Sequence, residues 1–285
     1  MKISIIAWDG SFREKHHTIH AFGNQSLSKD KFELIWVDYY KANDELINQI
    51  NLYPNFRILN LERPAKEQWH LGKCINAGVS VCEGNLLVIP DGDIIVDKDF
   101  LLYVYQNHLN NENLVMYHWR YEESKETYHP ELSYTIDHLE KNTKLLYPLN
   151  YAACYSIRKK HFKYVNGYEE HNCYSGAGMQ ATEINVRFKN AGLNIQWDKA
   201  KKTFHPWHPN TAITSQLNRT RNLLRSARIH YDWINPYAGI EQSWVYRCRL
   251  HNLDIYADEK QCDEYLENIK NIDLEVYNKV LDIFN

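Results

Sequence analysis

Residues 86–96 read Leu-Leu-Val-Ile-Pro-Asp-Gly-Asp-Ile-Ile-Val. An apolar run of strand length stops at Asp91-Gly92-Asp93, and a second apolar run follows it. So short a run, rich in β-branched residues, predicts a buried central strand. Two carboxylates at the edge of a core are costly unless positive charge sits with them. A divalent cation carrying a phosphate meets that need, because hard cations take carboxylate oxygens. The plain alternative is a solvated Asp-Gly turn. What flanks the stretch has to decide.

Before it, the pattern alternates. Lys2–Ala7 reads as a buried strand broken by Trp8-Asp9-Gly10-Ser11, and Phe12–Leu27 as a helix. Glu33–Val37 is a second strand ending at Asp38, Asn43–Leu52 a helix, Phe56–Leu61 a third strand, and Gln68–Val81 a helix leading into the Leu86 strand. Strand-helix alternation of this kind predicts an α/β fold with a mostly parallel sheet. In such sheets ligands bind beyond the carboxyl ends of the strands. Trp8-Asp9, Asp38 and Asp91-Gly92-Asp93 all fall there.

After it come a helix (100–109), a strand (114–119) and a polar, aromatic excursion over the site (121–147). Then follow a strand (150–157), a short helix (159–165) and the turn Asn166-Gly167-Tyr168-Glu169-Glu170. A helix over 180–191 ends at Gly192, a strand spans 193–197, and Phe204–Asn210 is a loop. From 211 onward the spacing is helical, which predicts a helical extension over 211–285 on a domain of residues 1–210.

The chain has 33 basic and 36 acidic residues, net −3, so global charge gives no argument for nucleic-acid binding. Its six cysteines are scattered without a Cys-x-x-Cys pair, which reads as buried thiols in a reducing compartment rather than a zinc site. The apolar N-terminal run is too short for a signal-peptide core, and no run reaches transmembrane length. The expectation is a cytoplasmic protein, with a peripheral membrane contact left open.

Several segments together resemble the GT-A fold glycosyltransferases of the family 2 type. They are Asn24–Leu27 with Phe32–Asp38, then Gly72-Lys73-Cys74-Ile75-Asn76-Ala77-Gly78, then Glu83-Gly84-Asn85 with the strand into Asp91-Gly92-Asp93. The turn 166–170, the helix end Arg187–Gly192 and the loop His205-Pro206-Trp207-His208-Pro209-Asn210 complete the order. The match spans roughly residues 1 to 210 and is specific for fold and broad activity, not for the sugar.

The resemblance implies transfer of a sugar from a nucleotide-diphosphate donor, UDP-linked, to an acceptor hydroxyl on a glycan or a lipid-linked acceptor. That points to surface-glycan biosynthesis, with inversion. It implies Mn²⁺ or Mg²⁺ bound by Asp93, with Asp91 on the ribose and metal side and His205 as a third protein ligand; His208 is the alternative. Asp38 would accept from the uracil N3–H, Trp8 would pack on the base, and Lys73 would meet phosphate or Asp91. An inverting transferase also needs a general base. The family places Glu-Asp at the start of the helix that ends in Arg187, and here those positions hold Gln180 and Ala181. Glu183 is the next acidic position and the candidate base, with Glu169 and Glu170 as alternatives. Arg221, Arg225 and Arg228 form one basic stripe, which is either a solvated face or a contact for an anionic lipid or a phosphorylated acceptor.

Two other readings compete. One is a catalytically weak GT-A-like module that binds a nucleotide sugar or glycan, as the missing acidic pair suggests. The other is a nucleotidyltransferase, against which stands the lack of a Gly-rich basic loop after the first strand.

Overall fold

The computed structural model describes residues 1–11, 13, 15–128, 134–170, 174–176, 179–209 and 229. The expected helical extension over 211–285, with Arg221, Arg225 and Arg228, lies outside the described residues except for Ile229. Contacts group the described residues into two compact units. The first takes Met1–Ala65, Ala77–Lys160 and the chain from Asn194; the second takes Lys66–Asn76 and His161–Leu193.

The first unit is built on an eight-stranded sheet. Four strands follow the sequence pattern closely: β1 (Ile3–Asp9), β2 (Phe32–Asp38), β3 (Phe56–Asn60) and β4 (Leu86–Pro90). They are joined in the order β3-β2-β1-β4, all parallel. β5 (Leu114–Glu123), β6 (Thr143–Lys144) and β7 (Cys154–Arg158) continue it as β4-β7-β5-β6 through antiparallel pairs. The last strand, β8 (Asn194–His205), returns parallel to β5. The fold is thus α/β with a mixed sheet flanked by helices, parallel on the side that carries Asp91-Gly92-Asp93.

Side-chain alternation explains the layers. Ile3, Ile5 and Ala7 of β1, Leu34 and Trp36 of β2, and Leu86 and Val88 of β4 face one way. On that face they bury Ile19 and Phe22 of α1 (His17–Gly23) and Leu46 and Ile50 of α2 (Asp44–Ile50). Phe100, Leu101 and Val104 of α4 (Phe100–Asn110) join them. Each such buried side chain is worth about 1.5–3 kcal/mol. The opposite face takes the end of α3 (Leu71–Val81). A Cβ on Gly78 would stand 2.6 Å from Ile6 and 3.0 Å from Val37, so helix backbone lies directly on the strands.

Several expected elements differ from the structure. The helix predicted over Phe12–Leu27 is only α1, because Arg13 is drawn to Asp93 and Gln25 is drawn to α4. The Gln25 Oε1 accepts the Leu101 N–H (2.8 Å), and its amide donates to the carbonyls of Ala21 (2.9 Å) and Asp97 (2.8 Å). The strand predicted over 193–197 runs on to His205, and β5 runs on to Glu123 into the stretch read as an excursion. Among the described residues, that stretch also carries α5 (Ile136–Asn142) and β6.

The two longer strands pair in two registers. Leu114–His118 lies against Asn194–Asp198, and Arg120–Glu122 against Thr203–His205, so β8 carries three more residues than β5 between them. Asp198 holds this bulge. It accepts from Tyr103 Oη (2.9 Å) and from the backbone N–H groups of Ala200 (3.1 Å) and Lys201 (2.9 Å), with His118 Nδ1 at 3.3 Å. Bulges re-aim side chains at the ends of strands, and this one sets His205 opposite Glu122. Cys74, Cys82 and Cys154 are buried free thiols, and no helix among the described residues is long and apolar enough to cross a membrane.

Burial raises the Asp198 carboxyl, but hydrogen bonds from His118 and the backbone outweigh it and bring it down to about 2. A depressed carboxylate stabilises the fold above its unfolded pKa and loses that contribution as pH falls through the folded value. Asp198→Asn should therefore lower stability at neutral pH by roughly 1–2 kcal/mol, allowing for solvent screening. The gap to the parent should narrow as pH falls from about 4 toward 2, read from urea midpoints.

Candidate active site

Asp91 and Asp93 follow β4 and are 7% and 5% exposed, so neither is a solvated turn residue. Their loop is fixed from three sides. The Asp91 N–H donates to Ala153 O (2.9 Å). Thr18 of α1 donates its hydroxyl to Asp91 O (2.7 Å) and accepts the Ile94 N–H (3.1 Å). Ile95 and Phe204 exchange backbone hydrogen bonds of 2.8 and 2.9 Å, which brings the end of β8 beside Asp93. Glycine is required between the carboxylates because a Cβ there would lie 2.6 Å from Arg13 Nε and 2.7 Å from the Trp36 ring.

The charges are met by residues from distant segments. Arg120 Nη1 pairs with Asp91 Oδ2 at 2.7 Å, and its Nε pairs with Glu122 Oε1 at 2.6 Å. Arg13 Nη1 lies 3.0 Å from Asp93 Oδ2, and its guanidinium covers the Trp8 ring at 4.7 Å. Glu122 Oε2 takes His205 Nδ1 at 2.8 Å, which turns His205 Nε2 toward Asp93 Oδ1, 3.5 Å away. His208 Nε2 stands 3.4 Å from Asp93 Oδ2 and 3.3 Å from His205 Nε2.

These contacts set the proton affinities. Burial pushes both aspartates up. At Asp93, Arg13 and His205 outweigh it, and the carboxyl lies well below its usual range. At Asp91 burial prevails over Arg120 and the carboxyl is raised. Burial disfavours charge on His205, yet Asp93 and Glu122 raise it to about 9. Against its own burial, Glu122 is lowered by His205 and Arg120.

Asp93, His205 and His208 offer ligand atoms that all lie within 4.8 Å of one another. Asp93 Oδ1 is buried and accepts no hydrogen bond among the described residues. A buried carboxylate with one imidazole nitrogen beside each of its oxygens fits a divalent transition-type ion better than Ca²⁺.

The neighbouring strand ends complete the first unit's polar edge. Asp9 and Asp38 are register partners and both are buried. Asp38 accepts from Ser11 Oγ (2.7 Å) and the Tyr40 N–H (2.9 Å), while burial raises its pKa. The structure thus brings Trp8, Asp38, Asp91, Asp93 and His205 to one edge of the sheet, with His208 as a further ligand candidate. Lys73 and Glu183 belong to the second unit. Lys73 pairs with Glu67 at 2.9 Å, and the cation on Asp91 is Arg120.

Glu183 lies in α7 (Gln180–Asn190) and, like Arg187, is 0% exposed. Both of its oxygens accept from Arg187, at 2.6 Å each. Arg187 also donates to the carbonyls of Val165 and of Gly167 (2.7 Å), closing the turn where Asn166 and Gly167 have positive φ. In that arrangement Glu183 braces a turn and presents no oxygen to solvent, unlike the general base expected of it.

Sequence reasoning missed Arg13, Thr18, Arg120 and Glu122. Only Arg120-x-Glu122 carried a signal, since two charges at strand spacing after an apolar run mark one face of a continuing strand.

The family model for glycosyl transferase family 2 matches residues 16–183, more than half of the chain. The chain belongs to this family. It is a glycosyltransferase, which sets aside the nucleotidyltransferase alternative. Among solved structures it is similar to S. aureus TarS 1-349 in complex with UDP, at 15% identity over 93% of this chain and 78% of that one, TM-score 0.54. It is also similar to S. aureus TarS, at 16% identity over 85% of this chain and 44% of that one, TM-score 0.52. At these identities the likeness is one of fold. No curated protein matches.

Removing one partner of a buried ion pair typically costs 3–5 kcal/mol. Glu183→Gln should therefore lose roughly 2–4 kcal/mol of stability, measured by denaturant unfolding, because the amide still fills the space and accepts one of the two bonds. A variant of full stability but slowed turnover would reinstate Glu183 as the base.

Proposed function

We propose that this glycosyltransferase takes a UDP-linked sugar and passes it, with inversion, to a hydroxyl of a glycan or lipid-linked acceptor in surface-glycan biosynthesis. The observation that supports donor chemistry most strongly is the convergence of Asp93, His205 and His208, with one buried Asp93 oxygen that accepts no hydrogen bond among the described residues. A divalent ion, Mn²⁺ or Mg²⁺, held by these three would act as a Lewis acid against the charge that grows on a diphosphate leaving group.

This chain's own residues have distinct parts in the proposal. Glu122 orients His205 through Nδ1 and leaves Nε2 to face Asp93. Arg120 holds Asp91 at the ribose side of the site. Asp38 accepts the N3–H of uracil, and Trp8 lies beside the base with Arg13 across its ring. The UDP bound to the similar TarS structure supports uridine as the base.

A second reading has its own support. Gln180 and Ala181 stand where the family carries acids, and Glu183 is taken up by Arg187. Those facts favour a protein that binds its donor and turns it over slowly.

The two readings separate in one screen. With a panel of UDP-sugars and Mn²⁺, the first expects UDP release that EDTA abolishes and that Asp93→Ala lowers by about two orders of magnitude or more. Mn²⁺-dependent UDP binding by calorimetry without release from any donor would favour the second. Release that persists undiminished in EDTA would overturn metal dependence.

A further inference from the structure

Resting on the metal-site reading above, we propose that Glu123 is the positioning residue of the histidine loop, holding Trp207 so that His208 meets Asp93. Glu123 ends β5 with its side chain fully buried. Three donors converge on the carboxylate. The Tyr134 hydroxyl (2.9 Å) and the Trp207 backbone N–H (3.1 Å) donate to Oε2, and His138 Nε2 lies 3.2 Å from Oε1. Burial, then the bond to Glu123, raises the Tyr134 hydroxyl far above its usual pKa, so it remains a donor. A buried carboxylate satisfied by three groups in fixed positions is a rigid anchor.

Its place in the strand explains the role. Successive side chains of a strand point to opposite faces. Glu122 therefore reaches the His205 ring, and Glu123 reaches the backbone of the loop two residues further on. Between the two fixed points lies only Pro206, whose φ is locked by its ring. His208 follows Trp207 directly, so fixing the Trp207 amide narrows the positions from which His208 can reach Asp93. The Trp207 ring is gripped as well, by Tyr128 at 5.0 Å and by the Lys125 ammonium at 5.8 Å. Two adjacent carboxylates thus set two histidines by different means, one through a ring nitrogen and the other through the main chain.

Groups that orient metal ligands from one remove are worth about 10–100-fold in metal affinity. The test titrates the full chain with Mn²⁺ alone, by calorimetry, in the parent, Glu123→Ala, Glu123→Gln, His208→Ala and the double variant. Glu123→Ala should weaken Mn²⁺ by about 10–100-fold. Glu123→Gln should recover most of that, since its carbonyl oxygen can still accept from Tyr134 and Trp207. In the His208→Ala background, Glu123→Ala should cost little more, because its effect passes through His208. Hydrogen exchange at the Trp207 amide should quicken in metal-free Glu123→Ala.

An equal Mn²⁺ cost in both backgrounds, or an unchanged Trp207 amide, overturns the proposal. If the parent binds no Mn²⁺ while the Trp207 amide is released by Glu123→Ala, the metal reading fails and the hold of Glu123 on the loop is upheld. Should Glu123→Ala not fold, Glu123→Asp, one methylene shorter, takes its place with the same expectations.

Discussion

A carboxylate at the end of a fully buried strand is the constraint on which the first unit depends. Asp93 sits where β4 leaves the core, with almost no access to water. An ionised carboxylate there costs several kcal/mol unless cations and donors surround it. None of its neighbours in sequence can serve, because Gly92 has no side chain and Ile94 is apolar. Compensation must arrive from far along the chain: Arg13 from after β1, and His205 and His208 from the end of β8. Asp91 repeats the problem and is answered by Arg120 of β5. Glu122 then ties the two answers together, since it holds Arg120 with one oxygen and His205 with the other.

This dependence explains features that packing alone does not require. β8 could have stopped at Trp197, where the apolar pattern ends. Instead it bulges at Asp198, resumes at Thr203, and bridges Ile95 through Phe204. Those backbone bonds carry His205 to Asp93. The bulge shifts the pairing of β8 against β5, and a strand's side-chain period of two makes such a shift decide which residue faces which. Without it, Glu122 would have a different partner from β8.

The sequence made β1 to β4 legible, because their apolar runs are short and, in β1, β2 and β4, are followed by an aspartate: Asp9, Asp38 and Asp91. It also named the ligand candidates Asp93 and His205, which the structure brings within 3.5 Å of one another. The residues it hid are those whose role exists only in three dimensions. Arg13 reads as a helix residue until Asp93 claims it. Thr18 reads as an ordinary position on α1 until its hydroxyl meets Asp91 O. Between the strand read over 193–197 and the loop at Phe204, no periodicity reveals that Asp198 gathers donors from Tyr103 and its own loop. Arg187 stands at i+4 from Glu183, so their pairing was legible, but spacing says nothing of burial, and burial is what changes the role.

That last point bears on how this glycosyltransferase is assembled. On an exposed helix, an i,i+4 ion pair is worth a few tenths of a kcal/mol and leaves the carboxylate open to other work. With both partners fully buried, opening the pair would strand a charge, which costs far more. Arg187 has further commitments to Val165 and Gly167, so the pair also holds a turn in left-handed backbone. A general base has to exchange a proton with a hydroxyl that comes and goes. A carboxylate needed to keep a guanidinium neutralised is poorly suited to that, since each protonation would weaken the fold it supports. The groups around Asp93, by contrast, are already aimed at one another. The inversion proposed above would need an acceptor-side carboxylate with fewer structural duties than Glu183.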